Sequence, residues 1–209
     1  YSASKGAAEL VIASYRRSFF HDAASIRLAS ARAGNVIGGG DWAQDRIVPD
    51  CIRALRAGAT IPVRNKTATR PWQHVLEPLG GYLHLAASLA TAGQDSAVRL
   101  ASAFNFGPAL ASNRTVAALV QELLLHLPGQ WLDAADPHAL HEASKLNLAT
   151  DKAFHLLEWQ PVWDFARMLA MTAEWYGGEE NGGSPAALTR DQITTYQNDA
   201  LRKGLPWAS

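Results

Sequence analysis

Cysteine is nearly missing from this chain. Cys51 stands alone, so no internal disulfide framework can form. Its apolar setting, Ile47-Val48-Pro49-Asp50-Cys51-Ile52, reads as a buried, inert thiol in a reducing compartment. An excess of charge is missing too: nineteen Lys and Arg balance nineteen Asp and Glu. Without a global field, neither nucleic acid nor an anionic membrane is an expected partner, and any anion has to be gripped locally by a few placed arginines. No apolar run approaches the ~20 residues of a membrane span, and the first residues carry no signal-peptide pattern. The expected location is the cytoplasm. With 48% apolar residues, the 209-residue chain is long enough to bury a proper core and reads as one domain, or one and a half. It begins with Tyr rather than Met, and we read it as the C-terminal part of a longer protein.

What is present starts with Tyr1-Ser2-Ala3-Ser4-Lys5. Four residues apart at the head of a helix, Tyr1 and Lys5 share one face, about a turn from each other. A phenol with an ordinary pKa near 10 is a poor base at neutral pH, and a neighbouring ammonium stabilises the phenolate. The lysine keeps a donor for a cofactor hydroxyl. Alone, such a pair is common on ordinary helices, so the rest of the chain has to decide.

Apolar spacing predicts a helix over 5–20 with Ala7, Leu10, Val11 and Tyr15 on its apolar side. A buried strand is expected over 25–33, running into the turn Gly34-Asn35-Val36-Ile37-Gly38-Gly39-Gly40-Asp41-Trp42, which no helix survives. Further helices are expected over 46–57, closed by Gly58, over 77–91, and over 114–127 with Asn113 as cap. Others follow over 150–159, 165–176 and 189–202, with a glycine-rich break at 177–184. Extended segments are expected over 60–64, 69–75 (Pro71 keeping Arg70 out of helix), 101–106 and 141–148. Strands alternating with helices imply an α/β protein with parallel strands.

Asn35, just past a strand end, lies where open α/β sheets bind ligands. It serves equally well as a holder of the glycine turn. Arg46, Arg64 and Arg70 are spread over irregular chain rather than along one solvated helix, the arrangement a diphosphate asks of converging guanidinium forks; three solvated arginines are the competing reading. His74, His138 and His141 lack metal-ligand spacing, and no metal is expected.

In this order the motifs resemble the extended short-chain dehydrogenase/reductase family, which acts on nucleotide sugars with a tightly held nicotinamide cofactor. The likeness rests on Tyr1-Ser2-Ala3-Ser4-Lys5-Gly6, then Arg32-Ala33-Gly34-Asn35-Val36-Ile37-Gly38-Gly39-Gly40-Asp41-Trp42. It continues through the helix start Arg46-Ile47-Val48-Pro49, the turn Arg70-Pro71-Trp72-Gln73-His74-Val75-Leu76-Glu77-Pro78, and Asn105-Phe106-Gly107-Pro108. The wording is most similar to that of the CDP-glucose 4,6-dehydratases, and it fades after Gly177. The implied fold is the C-terminal part of a Rossmann-type doubly wound parallel sheet (1–37, and 73–106 returning to it). A small mixed α/β substrate-binding part (38–72 and 107–176) and a tail over 177–209 complete it.

The resemblance further implies NAD as cofactor, CDP-glucose as substrate, and a 4-keto-6-deoxy product on the way to surface-polysaccharide sugars. Tyr1 and Lys5 are the implied catalytic pair, with Ala33 and Asn35 beside them at the cofactor. Asn35, Arg46, Ile47, Arg64, Arg70, Asn105 and His141 are implied at the nucleotide sugar. A homodimer packed through the helix of Tyr1 and Lys5 is also implied. The family's glycine-rich cofactor turn and its dehydrating residues would precede Tyr1. Two alternatives remain open at this point: another nucleotide-sugar 4,6-dehydratase or a 4-epimerase, or a non-catalytic nucleotide-sugar-binding fragment.

Overall fold

A computed structural model of the chain describes residues 2–20, 26–135 and 146–208. Tyr1 and His141 fall outside the described residues, as do 21–25, the remainder of 136–145, and Ser209. Eight helices and seven short strands follow one another among the described residues.

Helix α1 (Ser2–Ser18) leads to β1 (Ser30–Ala33) and β2 (Asn35–Ile37). Then come α2 (Ile47–Arg56), β3 (Ile61–Val63), β4 (Thr69–His74), α3 (Leu76–Thr91), α4 (Gln94–Leu100) and β5 (Ala103–Phe106). A single 3₁₀ turn, Leu110–Ser112, precedes β6 (Asn113–Thr115) and α5 (Val116–Leu123). The chain finishes with β7 (Trp131–Asp133), α6 (Asp151–Leu157), α7 (Phe165–Glu180), α8 (Pro185–Arg202) and a last 3₁₀ turn, Pro206–Ala208.

Three small sheets result. β1 runs parallel to β5, with Arg32 opposite Asn105. β2 runs parallel to β4, with Asn35 opposite Trp72, and β4 takes β6 on its other side in antiparallel sense. β3 pairs in parallel with β7, Pro62 facing Leu132. The α/β character and the parallel pairing agree with the sequence reading.

Sequence and structure differ at several points for identifiable reasons. α5 starts after β6 and is capped by Thr115, whose Oγ1 accepts the Ala118 N–H at 3.1 Å. Asn113 is not the cap because it pairs with Pro71 of β4 instead. α7 continues through Gly177 and Gly178 to Glu180. A Cβ on Gly178 would stand 2.7 Å from Leu188 Cδ2 of α8, so close helix approach offsets the usual cost of helical glycine. The terminal helix expected over 189–202 starts earlier: α8 is eighteen residues long, with Pro185 in its first turn. α2 does end as expected, with Gly58 at a φ of +65° beyond its C-cap.

Packing gathers three apolar clusters. The first joins Val48, Cys51 and Ile52 of α2, Trp72 of β4, Leu119 of α5 and Leu169 of α7. The second joins Leu85 and Leu89 of α3 to Phe104 and Phe106 of β5 and to Leu157 and Trp159 around the end of α6. The third joins Val162, Trp163 and Met171 to Tyr196 and Ala200 of α8. Burial pushes the Cys51 thiol up to about 12, in line with an inert side chain.

α1 stands apart from this packing, since none of its described residues is buried. Its half-buried positions are Glu9, Ile12, Ala13, Arg16 and, just beyond it, Phe20. Leu10, Val11, Tyr15 and Phe19 are exposed. The face turned inward is the one with polar partners on the neighbouring strand, not the apolar face that the spacing picks out.

Candidate functional site

The carboxyl ends of β1 and β2 open onto a cavity of about 720 Å³. Ala33, Asn35, Val36 and Ile37 form its strand side, and Gly38, Asp41 and Asp45 its loop side. Arg46, Ile47, Val48 and Pro49 contribute the start of α2. Asn65, Ala68, Arg70 and Trp72 of the β4 region, with Val116 and Leu146, complete the lining.

Local structure explains how these side chains are held. Trp72 is buried and its Nε1 donates to the Arg114 carbonyl at 2.9 Å, which fixes the strand that carries Arg70. Arg70 donates from Nη1 to its neighbour Thr69 O at 2.9 Å, and it lies opposite Arg114 in the β4–β6 register. Arg46 occupies the N-cap position of α2 in an extended backbone, and no side chain caps that helix start. The start of α2, with the positive end of its dipole, lies in the cavity wall beside Arg46, a combination that favours an anion.

The 38–45 loop is anchored from the far side by α7. Tyr176 Oη donates to the Asp41 carbonyl at 2.7 Å, and the Gly38 carbonyl lies 3.3 Å from the same oxygen. Its phenol is pushed up to about 12, first by burial and then by the Asp41 charge. A Cβ on Gly39 would lie 2.1 Å from the Trp175 ring, so this glycine is required by the indole beneath it. Asp45 has a φ of 60°, left-handed for a non-glycine residue. Its carboxylate pairs with Arg64 at 3.0 Å, while Asp41 stands 4.0 Å from Arg46.

Of the residues singled out from sequence, Ala33, Asn35, Arg46, Ile47 and Arg70 meet in this one cavity. Arg64 is not part of the wall, although its partner Asp45 is. Asn105 is also elsewhere: its Oδ1 accepts Arg32 Nε at 2.8 Å and its Nδ2 donates to Ala149 O at 3.0 Å. Lys5 is an exposed residue of α1. His74 is buried, with Nδ1 accepting the Leu76 N–H at 3.3 Å and its ring edge-on to Trp163 at 4.8 Å. Burial holds its imidazole down to about 3. Among the described residues no three His, Cys, Asp or Glu side chains gather as a metal site, and no helix is long and apolar enough to cross a membrane.

Sequence reasoning passed over Asp41, Asp45 and Asn65, all in the wall, because nothing in their spacing distinguishes them from turn residues. The fit to a dinucleotide is partial. Ala33 and Asn35 line the cavity at the strand ends, where a dinucleotide's ribose would be held, and Lys5 of α1 is not part of the wall. The pyrophosphate would need a glycine turn open to the ligand, whereas Gly38 and Gly39 are filled by Val75 and Trp175.

Comparison with known proteins gives this geometry a relative. The chain is 38% identical over 208 residues to CDP-glucose 4,6-dehydratase of Salmonella typhimurium, a match covering 97% of the chain and 56% of the relative. The chain is a homologue of that dehydratase. It spans little more than half the dehydratase's length. No family model matches the chain. Among solved structures, a dTDP-glucose 4,6-dehydratase from Streptomyces venezuelae with NAD bound superposes with a TM-score of 0.69 at 23% identity. The alignment covers 88% of this chain and 53% of that one. A dTDP-glucose 4,6-dehydratase from Bacillus anthracis, in complex with NAD, gives 0.66 at 18% identity, over 88% and 54%. At such identities the likeness establishes the fold alone, which this chain shares with part of each of those structures.

Proposed function

We propose that this chain carries the nucleotide-sugar pocket and the proton-transfer pair of a CDP-glucose 4,6-dehydratase. The observation that carries the reading is the cavity at the strand ends, where Asn35, Arg46 and Arg70 line one wall system beside the uncapped start of α2. A diphosphate is met there by two guanidinium forks and a helix N-terminus. The 38% identity to the Salmonella enzyme supports cytidine as the base and glucose as the sugar.

In this reading Tyr1 takes the proton of the sugar 4-hydroxyl and Lys5 steadies the resulting phenolate. NAD, when bound, would supply the reversible hydride acceptor for the sugar. Lys5 also donates to the nicotinamide ribose, with Ala33 and Asn35 lining that end. Arg46 and Arg70 hold the diphosphate so that the sugar stays near Tyr1, which is catalysis by positioning. Ile47 contributes its backbone at the start of α2, and the family likeness adds His141; Arg64 and Asn105, which lie outside the cavity wall, are not part of the proposed contacts. The exposed Leu10, Val11, Tyr15 and Phe19 of α1 form the contact of a homodimer.

The test is titration calorimetry of the chain with CDP-glucose, UDP-glucose and dTDP-glucose, beside an alkaline ultraviolet assay for a 4-keto product with NAD present. Tightest binding of CDP-glucose supports the reading. Equal or absent binding of all three would sink it.

A further inference from the structure

Glu9 lies one turn beyond Lys5 on α1, in the same i, i+4 row, and the fold uses it as the attachment point of that helix. Its Oε2 accepts the Ser30 hydroxyl at 2.9 Å, and its Oε1 stands 3.6 Å from Arg32 Nη1. Both partners belong to β1, the strand that runs into Asn35 and the cavity. Arg32 passes the hold onward: its Nε donates to Asn105 Oδ1, and Asn105 donates to the Ala149 carbonyl. A second tie comes from Arg16, on the same face of α1, whose Nε donates to Leu28 O at 2.9 Å. A helix with no buried residue has little apolar packing to fix its rotation. Hydrogen bonds from one polar row fix it here, and that row includes Lys5.

We propose that Glu9, gripped by Ser30 and Arg32, is a positioning residue that sets the rotation of α1 and thereby the direction of the Lys5 ammonium. Asn105 then serves the site through Arg32 rather than by touching substrate. The inference deepens the dehydratase reading and rests on it for the role of Lys5. The hold of Glu9 on α1 stands on the geometry alone. Charge supports the assignment: Arg16 and Arg32 are close enough to Lys152 to help lower its ammonium, after burial, and Glu9 brings a carboxylate into this cationic group.

The experiment uses Glu9→Gln, which keeps an acceptor for Ser30 but loses the charge facing Arg32, and Glu9→Ala, which loses both. Hydrogen exchange on the 209-residue chain reads the hold directly. Protection of α1 amides is expected to fall about tenfold in Glu9→Ala and less in Glu9→Gln, with α3 and α7 unchanged. Kinetics are measured in the shortest form of the protein that turns over CDP-glucose. There kcat is expected to fall by on the order of 10- to 100-fold with KM and CDP affinity nearly unchanged, and the acid limb of the pH–rate profile to move up as Lys5 support is lost. Unchanged exchange in both variants overturns the hold. Altered exchange with unaltered kcat and pH profile overturns the positioning role and leaves a structural one. If no form of the unmutated protein turns over CDP-glucose, the dehydratase reading falls and takes the role of Lys5 with it, while the exchange result still decides the hold.

Discussion

Tyr196 and Glu77 meet side chain to side chain, phenol to carboxylate at 2.9 Å, across 119 residues of sequence. Both are buried. The same carboxylate accepts the backbone N–H of Val162 at 2.9 Å and of Trp163 at 2.7 Å. Three donors from two distant segments thus converge on one residue in the first turn of α3. Tyr196→Phe leaves one acceptor site unfilled and should cost about 1–3 kcal/mol of stability. Glu77→Gln turns an amide against backbone donors and should cost at least as much. Urea unfolding of both variants checks this, and a loss below about 0.5 kcal/mol in both would show that the contact is incidental.

The same carboxyl gives a pH dependence. Burial raises Glu77 from 4.5 to about 7, against the lowering effect of its hydrogen bonds. As pH falls below 7 the folded state takes the proton before the unfolded state does, so stability from this group grows down to about pH 4.5. His74 works the other way. Its folded value near 3 lies below the ordinary 6.5, so the unfolded state takes the proton first and stability is lost from pH 6.5 downward. By pH 5 each contribution is on the order of 2 kcal/mol and they oppose. Stability of the unmutated chain should therefore change little between pH 8 and pH 5, whereas Glu77→Gln should lose stability on acidification. Parallel pH profiles for the two proteins would contradict the assignment to Glu77.

Gly39 supplies a sharper steric test. An added methyl would stand 2.1 Å from the Trp175 ring, which is itself 5% exposed, so backbone or indole has to move. Gly39→Ala should cost at least about 1–3 kcal/mol and weaken nucleotide binding by shifting the 38–45 loop. In a Trp175→Leu background the same substitution should cost clearly less, a coupling that a double-mutant cycle measures. Additive effects would show that loop and helix are independent.

Arg70 is the arginine whose loss should matter most for binding, because Pro71 and the anchored Trp72 fix its backbone. Arg70→Ala should weaken CDP binding by roughly 2–4 kcal/mol. Arg70→Lys should not restore it, since an ammonium cannot present two parallel donors. Calorimetry with CDP decides: unaltered affinity in both variants puts the diphosphate elsewhere, and full rescue by Lys means that charge alone is read.

Much of the cavity was legible in the sequence because its parts are local. Asn35 follows a strand and leads into a glycine turn, Arg46 precedes a helix start, and Arg70 precedes a proline that enforces extended chain. The structure brings all three together. What sequence could not supply came from distant pairing. The short α4 has only seven residues and β7 only three, too few for a period to register. Gly177 and Gly178 read as a break until α8 is seen lying against them. The roles of Glu9 and Glu77 depend on Ser30 and on Tyr196, whose side chains meet them only after the chain has folded back. α1 presents the opposite lesson, since its apolar spacing was clear and yet that face is exposed.

Burial of the Glu77 carboxylate also bears on how the gene tolerates premature stop codons. The donors that satisfy it lie at positions 162, 163 and 196. A nonsense mutation between Trp163 and Tyr196 would remove all or part of α8, Tyr196 included, yet leave the carboxylate in place, and one before Val162 would strip it of every one of these donors. Such alleles should behave as protein nulls, cleared by cellular proteases, rather than as shortened proteins with partial function. A nonsense codon after Arg202 would spare all three donors. A series of C-terminal deletions should show an abrupt loss of soluble product once Tyr196 is crossed.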